Sequence, residues 1–372
     1  RMLATRASDN IAFVAYCNLV GGQDELVFDG RSLICDPEGE IIARAPQFEE
    51  ALVVADLEIE QVFRRRLTDT RRRGMGREDA AAFDHVTLPD LASPERQPLA
   101  ATWHEPLPQT AEIYRALTLG LRDYVRKNGF EKVVLGLSGG IDSSLTAAIA
   151  ADALGPENVV GVAMPTRYSS SHSLEDAEQL AENLELRLLT IAIDDTFQAF
   201  LDMLAPTFAG LERDVTEENL QPRIRGTLLM ALSNKFGWMV VTTGNKSEIS
   251  VGYVTLYGDT VGGFAVIKDL YKAQVYALSR YRNARDGGDV IPQRVLAKPP
   301  SAELRPDQKD TDSLPPYDVL DPILRAYIEE RRSFSEIVAR GFDEALVERI
   351  IRLVDQNEFK RRQSAPGVKI TA

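Results

Sequence analysis

One tight turn of small residues, set between an apolar run and an alanine-rich run, constrains the fold of this chain more than any other feature. Residues 132–144 read Lys-Val-Val-Leu-Gly-Leu-Ser-Gly-Gly-Ile-Asp-Ser-Ser, and residues 145–154 continue as a helix-forming stretch that Gly155 and Pro156 stop. The β-branched run predicts a strand, the Ser-Gly-Gly triplet a turn, and the following run a helix that starts at once. Adjacent glycines let the backbone approach a bulky anion. Unpaired N–H groups, the helix N-terminus and the hydroxyls of Ser138, Ser143 and Ser144 would face it. The expected ligand is a phosphate. Asp142 would repel that ligand unless a cation lay between them, so Mg²⁺ bridging Asp142 and the phosphate oxygens belongs to the same expectation.

The turn lacks the Gly-x-x-x-x-Gly-Lys-[Ser/Thr] spacing of loops that serve γ-phosphate transfer. It resembles the Ser-Gly-Gly-x-Asp-Ser pyrophosphate loop of the ATP pyrophosphatase family, whose members split ATP into AMP and pyrophosphate while adenylylating a substrate. The bland alternative is a glycine-rich βα turn that only packs tightly. Six matched positions in a strand-to-helix setting weigh against it.

At 372 residues the chain is long enough for one large domain plus a partial second, or for two modest ones. Its net charge of −13 argues against a protein whose main partner is a nucleic-acid backbone. The arginine runs at 64–66 and 71–73 are read as a solvated helix face or a subunit contact. Two cysteines, Cys17 and Cys35, and three histidines suggest neither a disulfide framework nor a zinc site. No stretch approaches the ~20 apolar residues that span a bilayer, and the N-terminus shows no signal-peptide pattern. The expectation is a soluble cytoplasmic protein without a membrane partner.

Residues 1–60 read as strands and turns. Strands are expected at 11–17, 26–28, 32–35, 41–43 and 51–56, with a turn at Gly21-Gly22 and a hairpin turn at 36–40. Cys17 falls within the first of these strands and is read as a core cysteine. A charged helix is expected over 59–73, followed by a proline-rich linker that contains Pro89, Pro94, Pro98, Pro106 and Pro108. A helix from Thr110 to Asn128, with Thr110 as its cap and Gly129 as its stop, leads into the turn. Further strands at 159–165, 187–193 and 238–243 alternate with helices, one of them beginning as a capping box at Ser173. The fold class is therefore α/β: a Rossmann-like, mostly parallel sheet with helices on both faces. Ligands in such sheets bind at the carboxyl ends of the strands, which selects residues 138–144, 165–168, 194–195 and 244–248. Residues 286–318 read as a long mobile loop or lid.

Residues 18–30, Asn-Leu-Val-Gly-Gly-Gln-Asp-Glu-Leu-Val-Phe-Asp-Gly, are similar to the end of the nitrilase-like amidase domain of glutamine-dependent NAD synthetases. That domain removes ammonia from glutamine with a Glu-Lys-Cys triad, and none of the triad has a counterpart here. The chain reads as beginning inside that domain, so the resemblance leaves glutamine or ammonia open as nitrogen donor. Three later motifs resemble the synthetase domain: Asn-Leu-Gln-Pro-Arg-Ile-Arg-Gly-Thr at 219–227, Thr-Gly-Asn-Lys-Ser-Glu at 243–248 with Tyr-Gly-Asp at 257–259, and Lys-Asp-Leu-Tyr-Lys at 268–272. The implied division is 1–60 as the end of a partial α/β nitrilase-like domain, 61–109 as linker and 110–372 as synthetase domain.

What the resemblance implies is specific. ATP would be held by Gly136, Leu137, Ser138, Gly139, Gly140, Ile141, Asp142, Ser143 and Thr243. Deamido-NAD would meet Asn219, Arg223, Glu248 and Lys360. Asp142 and Glu248 would be magnesium ligands with Asp259 in a third acidic position, and Asp142, Glu248 and Lys272 would carry the chemistry. Ser301 lies in the matching mobile segment, and at least a dimer is implied. A nicotinate carboxylate is a poor electrophile, so it would first attack the α-phosphate of ATP, and ammonia would then displace AMP. Bland readings stand beside these: solvated carboxylates at 142, 248 and 259, Arg223 and Arg225 paired with Glu217 and Glu218, and a surface His172. The rival readings are another adenylating enzyme with the same loop, acting on a nucleotide base, an amino acid or a tRNA nucleoside, and a nucleotide-binding protein without chemistry.

Overall fold

The computed structural model describes residues 1–70, 86, 97–285, 287–306 and 308–371, which fall into two compact units. The first comprises Arg1–Gly21 and Phe28–Leu107, the second Gly22–Val27 and Pro108–Ala372. The arginine run at 71–73 and the linker prolines Pro89 and Pro94 lie outside the described residues.

The N-terminal segment carries helix α1 (Met2–Asn10), strands β1 (Val14–Tyr16), β2 (Val20–Gln23), β3 (Leu26–Asp29), β4 (Leu33–Cys35) and β5 (Ile41–Arg44), and helix α2 (Glu60–Thr68). β1, β4 and β5 form an antiparallel sheet and β2 pairs with β3. The expected turn at 36–40 is present: the Asp36 carboxylate accepts the amides of Glu38 and Glu40, each at 2.9 Å. Several expectations change. Residues 2–10 are helical, and Ile11 closes the helix in the left-handed region at φ 48°, which delays the first strand to Val14. Cys17 lies beyond that strand and is exposed, as are Ala15 and Tyr16 before it, where neither face of the strand is covered; Cys35 is the buried cysteine. Gly21 and Gly22 sit inside β2, and the turn falls at Asp24, φ 54°. Residues 51–56 form no strand. Val54 pairs with Thr102 alone, and Leu52 is 84% exposed.

The second unit is built on five parallel strands in the order β10-β9-β6-β7-β8, where β6 is Val133–Gly136, β7 Val159–Ala163, β8 Arg187–Thr190, β9 Met239–Thr242 and β10 Phe264–Ala265. The helices that follow α2 are α3 (Gln109–Lys127), α4 (Ile141–Leu154), α5 (Ser171–Asn183), α6 (Asp194–Leu204), α7 (Val215–Phe236), α8 (Lys246–Val251) and α9 (Lys272–Arg285). α10 (Gln293–Ala297), α11 (Tyr317–Leu324), α12 (Phe334–Val338), α13 (Glu344–Gln356) and α14 (Glu358–Arg362) complete the chain.

Strand periodicity of two assigns the two faces of this sheet. Val133 and Leu135 point into a core shared with Leu117 and Leu121 of α3, Ile149 of α4, Leu180 of α5 and Leu278 of α9. Val134, Val160 and Val240 point the other way, onto Phe197 of α6 and Ile224 and Leu229 of α7. Helices thus cover both faces, as the alternating pattern implies. A third cluster joins Val251, Tyr271, Leu320, Ile337 and Ile350 among the C-terminal helices.

Local details differ where tertiary contacts decide. β10 is two residues long, too short for a periodic signal, yet Phe264 and Ala265 are buried beside β9. α3 starts after Pro108 without a side-chain cap from Thr110, and the α5 cap is Ser170, which accepts the Ser173 amide. α7 begins at an Asp214 capping box, so the Asn219 motif lies inside that helix instead of opening it. The 286–318 segment carries α10 and a 3₁₀ turn at Asp310–Asp312, so it is not a structureless loop. Among the described residues no helix is long and apolar enough to cross a membrane.

Leu135 is fully buried in the central strand. Leu135→Ala is expected to lower the unfolding free energy by about 2–5 kcal/mol, read from urea denaturation, because the rigid sheet and α4 cannot close the cavity.

Candidate active site

Three neighbouring strands deliver three charged side chains to one point. Asp142 lies in the first turn of α4 after β6, Glu248 in the first turn of α8 after β9, and Lys272 opens α9 after β10. Because β6, β9 and β10 are adjacent and parallel, their carboxyl ends are adjacent too. Lys272 Nζ lies 2.5 Å from Asp142 Oδ2 and 2.8 Å from Glu248 Oε1. Asn245 caps α8 by accepting the Glu248 amide at 3.0 Å, and its amide nitrogen donates to Asp142 Oδ1 at 3.0 Å. Tyr317, from α11, reaches in from far along the sequence: its hydroxyl is 3.1 Å from Glu248 Oε1 and donates to Asp310 Oδ2 at 2.8 Å, and its ring lies 5.2 Å from Lys272 Nζ.

The loop before α4 has the geometry of a close backbone approach. Gly139 sits at φ +69°, and a Cβ there would come within 2.1 Å of the Ser173 carbonyl oxygen, so only glycine fits. The Ser138 side chain is exposed and accepts the Gly140 amide at 3.2 Å. Ser143 and Ser144 are buried and donate to the Gly140 carbonyl at 3.0 and 2.8 Å. The Ser144 hydroxyl is therefore turned toward the backbone and away from any anion. The Leu137 amide is likewise committed to Val162 in the sheet. Thr243, partly buried, leaves the end of β9 beside this loop.

The electrostatics follow from burial. Removal from water raises the Asp142 carboxyl to about 6 despite the Lys272 charge, and the Glu248 carboxylate adds to that shift. Burial acts to depress the Lys272 ammonium. The charges of Asp142 and Glu248 outweigh it, and the proton on Nζ is held above the ordinary lysine range. Burial also raises Asp310, with Glu248 contributing.

A second wall forms around residues 252–260. Asn219 Oδ1 accepts the Thr255 hydroxyl at 2.8 Å, and Asp259 Oδ1 accepts the Thr255 amide at 2.7 Å. Asp259 is exposed on one side, and desolvation by the protein packed around it raises its carboxyl to about 6. Arg223 donates to the Leu256 carbonyl at 3.2 Å, and Lys360 to the carbonyls of Gly252 and Val254 at 2.7 and 2.9 Å. Burial pulls Lys360 down, with Asp259 and Arg223 as its charged neighbours. Arg225 is half-buried, lowered to about 10 by desolvation, and donates to the Met164 carbonyl at 3.1 Å. Neither arginine pairs with Glu217 or Glu218: Glu217 belongs to the α7 cap and Glu218 faces Arg305. His172 is exposed, near Glu175 and Arg294.

The expected site residues therefore form two groups. Asp142, Glu248 and Lys272 meet at the loop, while Asn219, Arg223, Asp259 and Lys360 line the second wall. The Glu248 charge adds to the rise at Asp259. No group of three His, Cys, Asp or Glu side chains among the described residues is gathered as a metal cage. Ser301 donates to the Gln308 carbonyl inside its own segment. Sequence reasoning reaches Asn245 only within the segment 244–248, without a role of its own, and misses Tyr317 and Asp310 as site residues. The Asn-x-x-Glu cap spacing could have revealed Asn245, whereas no local signal marks the other two.

A sequence model of the NAD synthase family matches residues 113–364, and one of the carbon–nitrogen hydrolase family matches residues 1–66. The glutamine-dependent NAD(+) synthetase of Thermotoga maritima is 52% identical over 370 residues, 99% of this chain and 64% of that protein. Its counterpart in Aquifex aeolicus is 50% identical over 372 residues, 100% of this chain and 64% of that protein. Among solved structures, glutamine-dependent NAD+ synthetase from Acinetobacter baumannii in complex with adenosine diphosphate is 44% identical. The match has a TM-score of 0.67 and covers 100% of this chain and 61% of that one. The chain thus spans about 64% of the length of these two curated relatives.

Because the Asp142 carboxyl titrates higher in the folded chain, near 6, than its ordinary 3.8, the folded state binds the extra proton. Its contribution to stability is whole below pH ~4 and is lost as pH rises through ~6. In the absence of nucleotide and divalent cation, Asp142→Asn should flatten the fall in unfolding free energy across this window, as measured by urea denaturation at successive pH values. An unchanged slope would contradict the assignment.

Proposed function

The chain belongs to the NAD synthase family, and from that premise we propose that it carries the ATP-dependent amidation of deamido-NAD to NAD, with release of AMP and pyrophosphate. The observation that carries the reading is the buried Lys272 ammonium, clasped by Asp142 and Glu248 at the mouth of a loop where only glycine fits at 139. A cation set beside a phosphate cradle suits a reaction whose first step builds charge on a departing pyrophosphate.

The substrate carboxylate attacks the α-phosphorus of ATP, pyrophosphate leaves, and an acyl adenylate forms. Ammonia then adds to the acyl carbon and AMP departs. The loop backbone from Gly136 through Ser143, with Thr243, receives the ATP. The Asp142 and Glu248 carboxylates hold the Lys272 proton above the ordinary lysine range, so Lys272 acts as a fixed positive charge for the leaving oxygens and not as a base. Asn219, Arg223 and Lys360 form the wall for deamido-NAD, with Glu248 between that wall and the loop.

The residues present fit a magnesium ion. Asp142 and Glu248 converge, and Mg²⁺ characteristically takes one or two carboxylates while substrate phosphates and water supply its other ligands. When bound, it supplies neutralisation of the polyphosphate charge. Asp259, bonded to the Thr255 amide and near Lys360, is assigned to the substrate wall. Glutamine as the ammonia source, assembly into at least a dimer and a cytoplasmic setting belong to the same proposal. They rest on the family resemblance.

The chain supplied with ATP, Mg²⁺, ammonium and deamido-NAD should release pyrophosphate and form NAD, followed by coupled phosphate detection and chromatography. Pyrophosphate release with a different acid, and none with deamido-NAD, would move the assignment to another adenylating enzyme. Lys272→Met should lower kcat by at least about 100-fold, the scale of losing one donor to developing charge.

A further inference from the structure

Four consecutive residues at the start of α8 each have a partner of their own. Asn245 holds Asp142, and Glu248 holds Lys272 and Tyr317. Lys246, buried, lies 2.8 Å from both Asp269 and Glu329 and donates to the Thr371 hydroxyl at 2.6 Å. Ser247, fully buried, belongs to an arrangement that the chemistry proposed above does not use.

The Ser247 hydroxyl donates to Asp321 Oδ1 at 2.5 Å, and the same Oγ accepts the backbone amide of Lys272 at 2.9 Å. Asp321 Oδ2 accepts the backbone amide of Ala273 at 3.0 Å. Lys272 and Ala273 are the first residues of α9, and the first amides of a helix have no partner within it. Here both are satisfied from outside, by a serine of α8 and a carboxylate of α11. One turn before Asp321 on that helix stands Tyr317, which touches the far ends of Glu248 and Lys272. The face of α11 that carries residues 317 and 321 thus contacts the catalytic pair twice, once at the side-chain tips and once at the backbone.

We propose that Asp321, acting through Ser247, is a positioning residue that fixes the start of α9 against the start of α8 and so sets Lys272 against Glu248 and Asp142. The inference rests on the functional reading given above. Neither residue reaches the carboxylate–ammonium cluster itself: Ser247 and Asp321 are 0% and 5% exposed. Their effect is on where Lys272 Nζ stands. A small misplacement of a catalytic group costs rate while leaving ground-state binding nearly intact.

The test uses Ser247→Ala, Asp321→Asn and the double variant in the full chain. Each is expected to lower kcat about 10- to 100-fold with KM for ATP changed less than about 2-fold. The double variant should lose no more than the worse single one, because both changes break one staple. Hydrogen–deuterium exchange on peptides holding the Lys272 and Ala273 amides should rise in all three, a readout independent of turnover. Variants that keep wild-type kcat, or whose loss lies in KM or follows only the melting temperature, overturn the positioning role. A wild-type chain that exchanges slowly at these amides but forms no NAD overturns the functional reading, and the catalytic part of this inference with it.

Discussion

A buried ammonium without partners would cost several kcal/mol, and removing one member of a buried pair typically costs about 3–5 kcal/mol. Lys272, 1% exposed, meets that constraint by drawing one carboxylate from the helix after β6 and another from the helix after β9. Much of the second unit can be read as what brings these three groups to one point and keeps them there. The balance is unequal. Two carboxylates face one cation and Asp310 stands behind Tyr317, so the centre carries more acid than base. Such a centre favours the arrival of more positive charge, which is the physical setting in which a cation and a polyphosphate are bound together.

Parallel strands make the convergence possible. Each strand of the β10-β9-β6 side ends at the same edge, so the first turns of α4, α8 and α9 open side by side. Those first turns hold unsatisfied amides, and side chains satisfy them: the adjoining Asn245 at α8, and Ser247 and Asp321 from two other helices at α9. Capping and positioning are here the same set of hydrogen bonds. The segment that follows α10 contributes as well. Glu303 accepts from the Ser173 hydroxyl at 2.6 Å, beside the carbonyl that packs on Gly139, and Gln221 donates to the Leu304 carbonyl at 2.8 Å. This segment therefore spans from the loop side to the α7 side of the site, where exclusion of water from a reactive adenylate would be needed.

The sequence misread the ends of elements more than their kind. The Ser173 capping box, the Thr110 cap and the opening of α7 at Asn219 were each displaced by a few residues. Cap choice depends on which hydroxyl or carboxylate has free geometry, and composition does not record that. Cys17 was placed in a core because its neighbours are apolar. The strand ends one residue earlier and its end is uncovered on both faces, and apolar character alone does not say whether a strand face is covered.

The family resemblance singles out Asp142, Glu248 and Lys272 as reactive candidates, and from the residues alone come the strand–turn–helix around Gly139 and the alternation that makes a parallel sheet. These rest on local rules, the steric freedom of glycine and the period of apolar side chains, which operate over a few neighbours. Only the tertiary structure decided that the Lys272 charge is shared by Asp142 and Glu248, that Tyr317 reaches the centre from α11, and that Asp321 of the same helix holds Ser247 behind it. Those partners lie between 24 and 130 positions apart in the chain. What joins them is the order of strands in the sheet, set by the packing of both its faces at once, and no short stretch of sequence carries that order.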